Sequence, residues 1–60
     1  MSDRYQELLD LVGEAEEDFD KFYNNGVKAA GTRVRKVMQE LKKKAQDIRV
    51  EVQDIKKNEL

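Results

Sequence analysis

Five basic side chains recur at seven-residue intervals in the second half of the chain, and this spacing could support binding to a polyanion. They are Lys28, Arg35, Lys42, Arg49 and Lys56. Residues seven apart share one side of an α-helix and are separated by about 10.5 Å along its axis. Lys and Arg at such spacing can contact phosphate groups of a nucleic acid. Affinity then comes from counterion release, without reading the bases.

Further cations directly follow three of these residues, in the pairs Arg35-Lys36, Lys42-Lys43 and Lys56-Lys57. Only one member of each pair can face an antiparallel neighbour, so the other faces water or a polyanion. We predict a phosphate-binding set comprising Lys28, Arg33, Arg35, Lys36, Lys42, Lys43 and Arg49. The competing interpretation is that these charges pair with acidic residues across a helix interface, as is usual beside a coiled-coil seam.

The same heptad predicts where this helix packs. With Gly31 at position a, positions a and d carry no polar side chain, and the cations at seven-residue intervals fall at position e. The a and d residues are Gly31, Val34, Met38, Leu41, Ala45, Ile48, Val52 and Ile55. We expect this seam to be buried, with Gly31 allowing close approach of a partner backbone.

The first half of the chain predicts a shorter amphipathic helix over about residues 3–23, capped by Ser2 or Asp3. Its apolar residues alternate at spacings of three and four, and the aromatic residues among them are expected in the core. The aromatic residues are Tyr5, Phe19, Phe22 and Tyr23. Tyr5 and Tyr23 should keep their hydroxyl groups in water.

The segment 24–26, Asn-Asn-Gly, is the strongest turn signal and predicts a reversal before a second helix over about residues 27–57. A break at Gly31-Thr32 is the alternative to one continuous helix, which we favour.

These lengths predict an all-α fold, a single domain over residues 1–60 formed by a two-helix antiparallel hairpin with unequal helices. The second helix overhangs the first by roughly ten residues, leaving Val52 and Ile55 uncovered. A 60-residue chain without Cys has little core and no disulfide. We therefore expect self-association into a helical bundle, with a homodimer as the simplest form. A parallel two-stranded coiled coil of the second helix is the rival arrangement.

The net charge of −1 hides a strong asymmetry between the two halves of the chain. Residues 1–26 carry two basic and eight acidic side chains, whereas residues 27–60 carry ten basic and five acidic ones. Such a division is typical either of nucleic-acid binding or of two halves that neutralise each other.

Several functional classes are disfavoured by composition. Without His, Cys or a Gly-rich phosphate loop, we predict no enzyme, no catalytic residue, no cofactor, no metal site and no small-molecule substrate. No apolar run reaches the roughly 20 residues that span a membrane, and residues 1–4 do not begin a secretory signal. We expect a soluble, cytoplasmic protein; a helix lying on a membrane surface is a weaker third possibility.

The segment from Ala29 to Lys36, Ala-Ala-Gly-Thr-Arg-Val-Arg-Lys, carries a family resemblance. Together with Asp-Phe-Asp-Lys-Phe-Tyr at 18–23 and Ala-Gln-Asp-Ile-Arg at 45–49, it resembles the small bacterial histone H1-like proteins. The resemblance implies DNA binding in the nucleoid without sequence preference. By match of motif, it implies that Lys28, Arg33, Arg35 and Lys36 contact DNA. The alternative function is a structural or adaptor coiled-coil module for self-assembly and protein–protein interaction.

Overall fold

The computed structural model describes residues 3–59, which form three helices. Helix α1 spans Arg4–Glu14, α2 spans Glu16–Asn25 and α3 spans Lys28–Glu59. No strand occurs among these residues. Helices α1 and α2 form one arm that runs back along α3, giving extents of 48 × 18 × 13 Å. The predicted all-α hairpin with unequal helices is confirmed; self-association remains a prediction.

The shorter arm is bent at Ala15, where the sequence had predicted one unbroken helix over about residues 3–23. The Ala15 N–H donates to the Val12 carbonyl at 3.0 Å, a tighter turn than the α-helical one. The Phe19 N–H resumes the α-helical pattern by donating to the Ala15 carbonyl at 2.9 Å. Ala15 is fully buried, so the bend places a small side chain where the arm packs closely.

Both ends of the arm have identifiable caps. The Asp3 carboxylate accepts a hydrogen bond from the Gln6 N–H at 3.0 Å; Ser2, the other predicted cap, lies outside the described residues. Gly26 adopts φ 67°, the left-handed conformation that suits glycine, and its N–H donates to the Phe22 carbonyl at 3.1 Å. The reversal falls at 26–27, because Asn24 and Asn25 complete α2.

Helix α3 is continuous through Gly31-Thr32, as predicted, but its packing face is rotated from the predicted one. Positions d and g are the best covered, whereas position a is covered only in its first half. The g residues run from buried to half-buried along the helix: Ala30, Val37, Lys44 and Glu51. The a residues Ala45 and Val52 are exposed. We call positions d and g of α3 the packing face.

The core centres on the bend of the arm and the first turns of α3. Its buried apolar side chains are Leu11, Ala15, Ala30 and Val34. Burial then decreases along position d: Leu41 and Ile48 are half-buried, and Ile55 is 53% exposed. The arm begins at Arg4, which contacts Glu51, so the rest of α3 overhangs it as the predicted lengths required.

Gly31 is buried beneath the ring of Phe22. A Cβ atom at this position would stand 2.6 Å from the Phe22 ring carbons Cδ1 and Cε1. The approach that glycine permits is therefore by an aromatic side chain, where the sequence had predicted a partner backbone. At Gly13, by contrast, an added Cβ would meet no atom within 4 Å.

Substituting each of these glycines by alanine tests this packing. Alanine should gain about 1 kcal/mol of helix propensity at either site. Gly13→Ala should show that gain, whereas Gly31→Ala should lower stability by about 1 kcal/mol, because overpacking costs about 1–3 kcal/mol. Urea unfolding followed by circular dichroism measures both. Equal stabilisation by the two substitutions would show that Phe22 does not require Gly31.

Candidate nucleic-acid interface

Two charged side chains on the packing face of α3 are held by the arm. The Lys44 Nζ lies 2.8 Å from the Glu7 Oε1, and the Arg4 Nε donates to both carboxylate oxygens of Glu51 at 3.1 and 3.2 Å. Arg4 also lies 3.0 Å from Glu7. Each of these half-buried ion pairs is still partly solvated and contributes little alone, but together they fix the register of arm and helix.

Arg33, a predicted phosphate ligand, is also engaged with the arm. Its Nη2 lies 2.9 Å from the Asp18 Oδ1, and its Nε donates to the same oxygen at 3.0 Å. The Asp18 side chain is only 17% exposed, whereas that of Arg33 is 52% exposed. Arg33 occupies heptad position c, beside position g, which explains why it reaches the arm and the e cations do not.

These contacts lower the pKa values of two carboxylates, Asp18 and Glu51. Hydrogen bonding from Arg33 holds the pKa of Asp18 below its ordinary value, and the same contact raises the pKa of Arg33. Hydrogen bonding from Arg4 likewise lowers the pKa of Glu51. Each carboxylate therefore stays charged in the folded hairpin at acidities where it would begin to protonate in the unfolded chain.

The other six predicted phosphate ligands are exposed at heptad positions e and f of α3. They are Lys28, Arg35, Lys36, Lys42, Lys43 and Arg49, and we call this set the basic face. Within residues 3–59 none of the six forms an ion pair. The nearby acids Glu40 and Asp47 are likewise unpaired in this part of the chain. The pairing interpretation therefore describes Arg33 and Lys44 but not the basic face.

Helical geometry sets the middle of this face, at position b, opposite the arm, whereas its e cations Lys28, Arg35 and Lys42 lie beside the end of α2. Position b lies opposite the midpoint of d and g, and positions e and f lie on either side of b. Gln39 occupies position b; it lines one shallow groove with Arg35 and Lys36 and another with Lys42 and Lys43. Five acidic residues of the arm are also exposed: Asp10, Glu14, Glu16, Glu17 and Asp20. The arm thus carries mainly exposed acids, and α3 carries mainly exposed cations.

The aromatic residues depart from the predicted core. Phe19 is half-buried and Phe22 covers Gly31, but Tyr5 and Tyr23 are 70% and 71% exposed. Tyr23 shares a shallow groove with Arg35 and Lys42. The spacing of Tyr23 in the sequence did not predict its exposure; its ring lies against those of Phe19 and Phe22 near the end of α2.

Within residues 3–59, none of the helices combines the length and the apolar character that a membrane span requires. Nor do three or more acidic side chains here converge to hold a metal ion.

Comparison with known proteins gives one match. The model of the family described as Histone H1-like protein Hc1 matches residues 2–58, nearly the whole chain. No curated protein and no solved structure matches the chain.

The lowered pKa values predict how the hairpin responds to acid. A carboxylate with a depressed folded-state pKa stabilises the fold above its unfolded-state pKa of roughly 4, and that stabilisation is lost as the pH falls through the folded value. Stability should therefore fall below about pH 4. The double variant Asp18→Asn, Glu51→Gln should be less stable at pH 7 and lose less on acidification. Urea unfolding at several pH values measures this. An unchanged acid response in the variant would show that other carboxylates carry it.

Proposed function

Because the chain belongs to the histone H1-like family, we propose that it is a nucleoid protein that binds DNA through phosphate contacts of the basic face, without sequence preference. The family is one of DNA packaging, and nothing here indicates catalysis. The observation that carries the proposal is the exposure of six cations at positions e and f of α3, none of them in an ion pair within residues 3–59.

Unpaired, solvated cations are suited to phosphate binding because no carboxylate of the protein already neutralises their charge. A cation already paired with a carboxylate must give up that partner before it contacts DNA, whereas the basic face has no such cost. Each phosphate neutralised releases counterions, which supplies the free energy and makes the affinity fall with salt. Arg33 is the exception among the proposed ligands, because DNA would compete with Asp18 for its guanidinium.

Sequence preference is not expected from this geometry. A straight helix cannot follow the curving major groove over the length of the basic face. Gln39 and Gln46 at position b could each read adenine, but they lie about 10.5 Å apart along the helix, too far to read consecutive bases. The acidic arm should also influence how the hairpin is oriented when it approaches DNA. Its exposed carboxylates are repelled by DNA, so the hairpin should approach a duplex with the basic face first.

We further propose that the protein acts as a homodimer formed by the overhanging end of α3. Val52 and Ile55 are 48% and 53% exposed beyond the last contact with the arm. The small core leaves a single hairpin only marginally stable. Two copies that cover each other's overhang would bury additional apolar surface. A dimer would carry two basic faces and could bridge or bend DNA.

A second candidate function is a structural or adaptor coiled-coil module. The exposed apolar side chains of the overhang favour it, because they could receive a protein partner. Salt distinguishes the two functions: phosphate contacts weaken steeply with salt, whereas apolar burial changes little.

Neutralising the basic face tests the DNA-binding proposal. The triple variant Arg35→Gln, Lys42→Gln, Arg49→Gln should reduce the log–log salt slope for duplex binding by about 3, one for each lost phosphate contact. The control, Lys21→Gln, removes one cation of the arm that forms no ion pair within residues 3–59, and it should leave the slope unchanged. Fluorescence anisotropy with a random-sequence duplex measures both variants, and circular dichroism checks that both stay helical. An equal loss per removed charge in the two variants would refute a localised basic face.

The overhang can be tested by placing a charge on it. Ile55→Asp would bury an unpaired carboxylate in the proposed interface and should weaken dimerisation roughly 10-fold or more. Val50→Asp is the control: Val50 is 50% exposed, but at position f, away from the seam. Sedimentation equilibrium measures both. If Ile55→Asp leaves the oligomer unchanged, or if Val50→Asp disrupts it equally, the overhang does not form the interface.

A further inference from the structure

The exposed ring of Tyr23 is held in place by two other aromatic rings. Its plane is within 10° of that of Phe19, with centroids 6.0 Å apart, and is nearly perpendicular to the Phe22 ring, with centroids 5.2 Å apart. Both arrangements are favoured geometries for aromatic pairs. Phe22 is itself seated against Gly31. Tyr23 therefore presents a large, solvent-exposed ring on a supported base.

Three cations of the basic face line shallow grooves together with this ring. One shallow groove is lined by Tyr23, Arg35 and Lys42. A second is lined by Phe22, Tyr23, Lys28 and Arg35. Along α3 the three cations rise by about 10.5 Å per step, and the aromatic cluster stands against the same edge of the helix. A supported aromatic ring and phosphate-binding cations are thus brought together, although the sequence places them on different helices.

We propose that Tyr23, Arg35 and Lys42 form a binding site for an unpaired nucleotide, whose base stacks on the Tyr23 ring while neighbouring phosphates contact the two cations. The site rests on the proposed DNA-binding function and adds a preferred form of nucleic acid to it. Stacking tolerates any base, because every base has a π-face, so the site adds no sequence preference. Intact duplex cannot use it, because its bases are already stacked within the helix.

Tyr5 supplies a matched comparison within the same chain. Its ring is 70% exposed, against 71% for Tyr23, but it lies on α1 at the opposite end of the hairpin from the turn. It follows Arg4, whose guanidinium is engaged by Glu7 and Glu51. Equal exposure with different surroundings allows a stacking role to be separated from a general effect of losing a surface tyrosine.

The test compares variants of the full chain on a dT₁₂ oligonucleotide, an rU₁₂ oligonucleotide and a 12-base-pair duplex by fluorescence anisotropy. Tyr23→Leu keeps apolar bulk but removes the ring, and should weaken single-strand binding about 5- to 100-fold while leaving duplex binding unchanged. Tyr23→Phe should restore single-strand binding, and Tyr5→Leu should have no effect. Circular dichroism confirms equal helicity. In the unsubstituted protein, the Tyr23 ring protons should shift upfield on adding the single strand, measured by NMR.

The outcomes separate this inference from the function on which it rests. Loss of dT₁₂ binding, rU₁₂ binding or both in Tyr23→Leu supports the site. The oligonucleotide whose binding is lost shows whether the site accepts DNA, RNA or both. If the unsubstituted protein binds duplex but Tyr23→Leu loses neither single strand, or loses duplex equally, the stacking site is refuted and phosphate binding stands. If the unsubstituted protein binds none of the three, both proposals fail.

Discussion

The docking of the acidic arm on positions d and g of α3 determines what the rest of that helix is free to do. Three contacts hold the arm in register: Glu7 with Lys44, Arg4 with Glu51, and Asp18 with Arg33. They engage charged residues on the packing face and beside it, and they leave the cations of positions e and f unpaired in the described residues. A rotation of α3 by one heptad position would bring the e cations toward the acids of the arm.

Much of the fold could be predicted from the sequence, because its strongest signals are periodic or local. The heptad of α3, the cap at Asp3 and the glycine of the reversal each depend on residues close together in the chain. The rotation of the packing face could not be predicted, since both a and g adjoin d and position a is the more apolar. The choice of g depends on the partners of Lys44 and Glu51, which lie 37 and 47 residues away in sequence. The bend at Ala15 is likewise set by packing against α3, with only Gly13 as a local indication.

Part of the candidate site could likewise be predicted from the sequence, and part could not. Exposure of one member of each of the pairs Arg35-Lys36 and Lys42-Lys43 was predictable, because no single neighbour could cover both. Exposure of both members of each pair could be found only from the packing of the arm. The engagement of Arg33 and the position of Tyr23 required the three-dimensional register. A net charge of −1 is compatible with DNA binding here because the exposed acids are concentrated on the arm and the exposed cations on α3. At physiological salt the Debye length is about 8 Å, so DNA at the basic face senses those cations more strongly than the arm.

The most direct test of the account is the salt dependence of duplex binding by the unsubstituted protein. Fluorescence anisotropy on random-sequence duplexes of different composition, from low to physiological salt, yields the number of phosphate contacts from the log–log slope. With four to six cations of the basic face engaged, the slope should be roughly −4 to −5 per hairpin, with equal affinity for every sequence. A slope near zero, a strong preference for one sequence, or no binding at low salt would contradict the proposal that α3 presents a free phosphate-binding face.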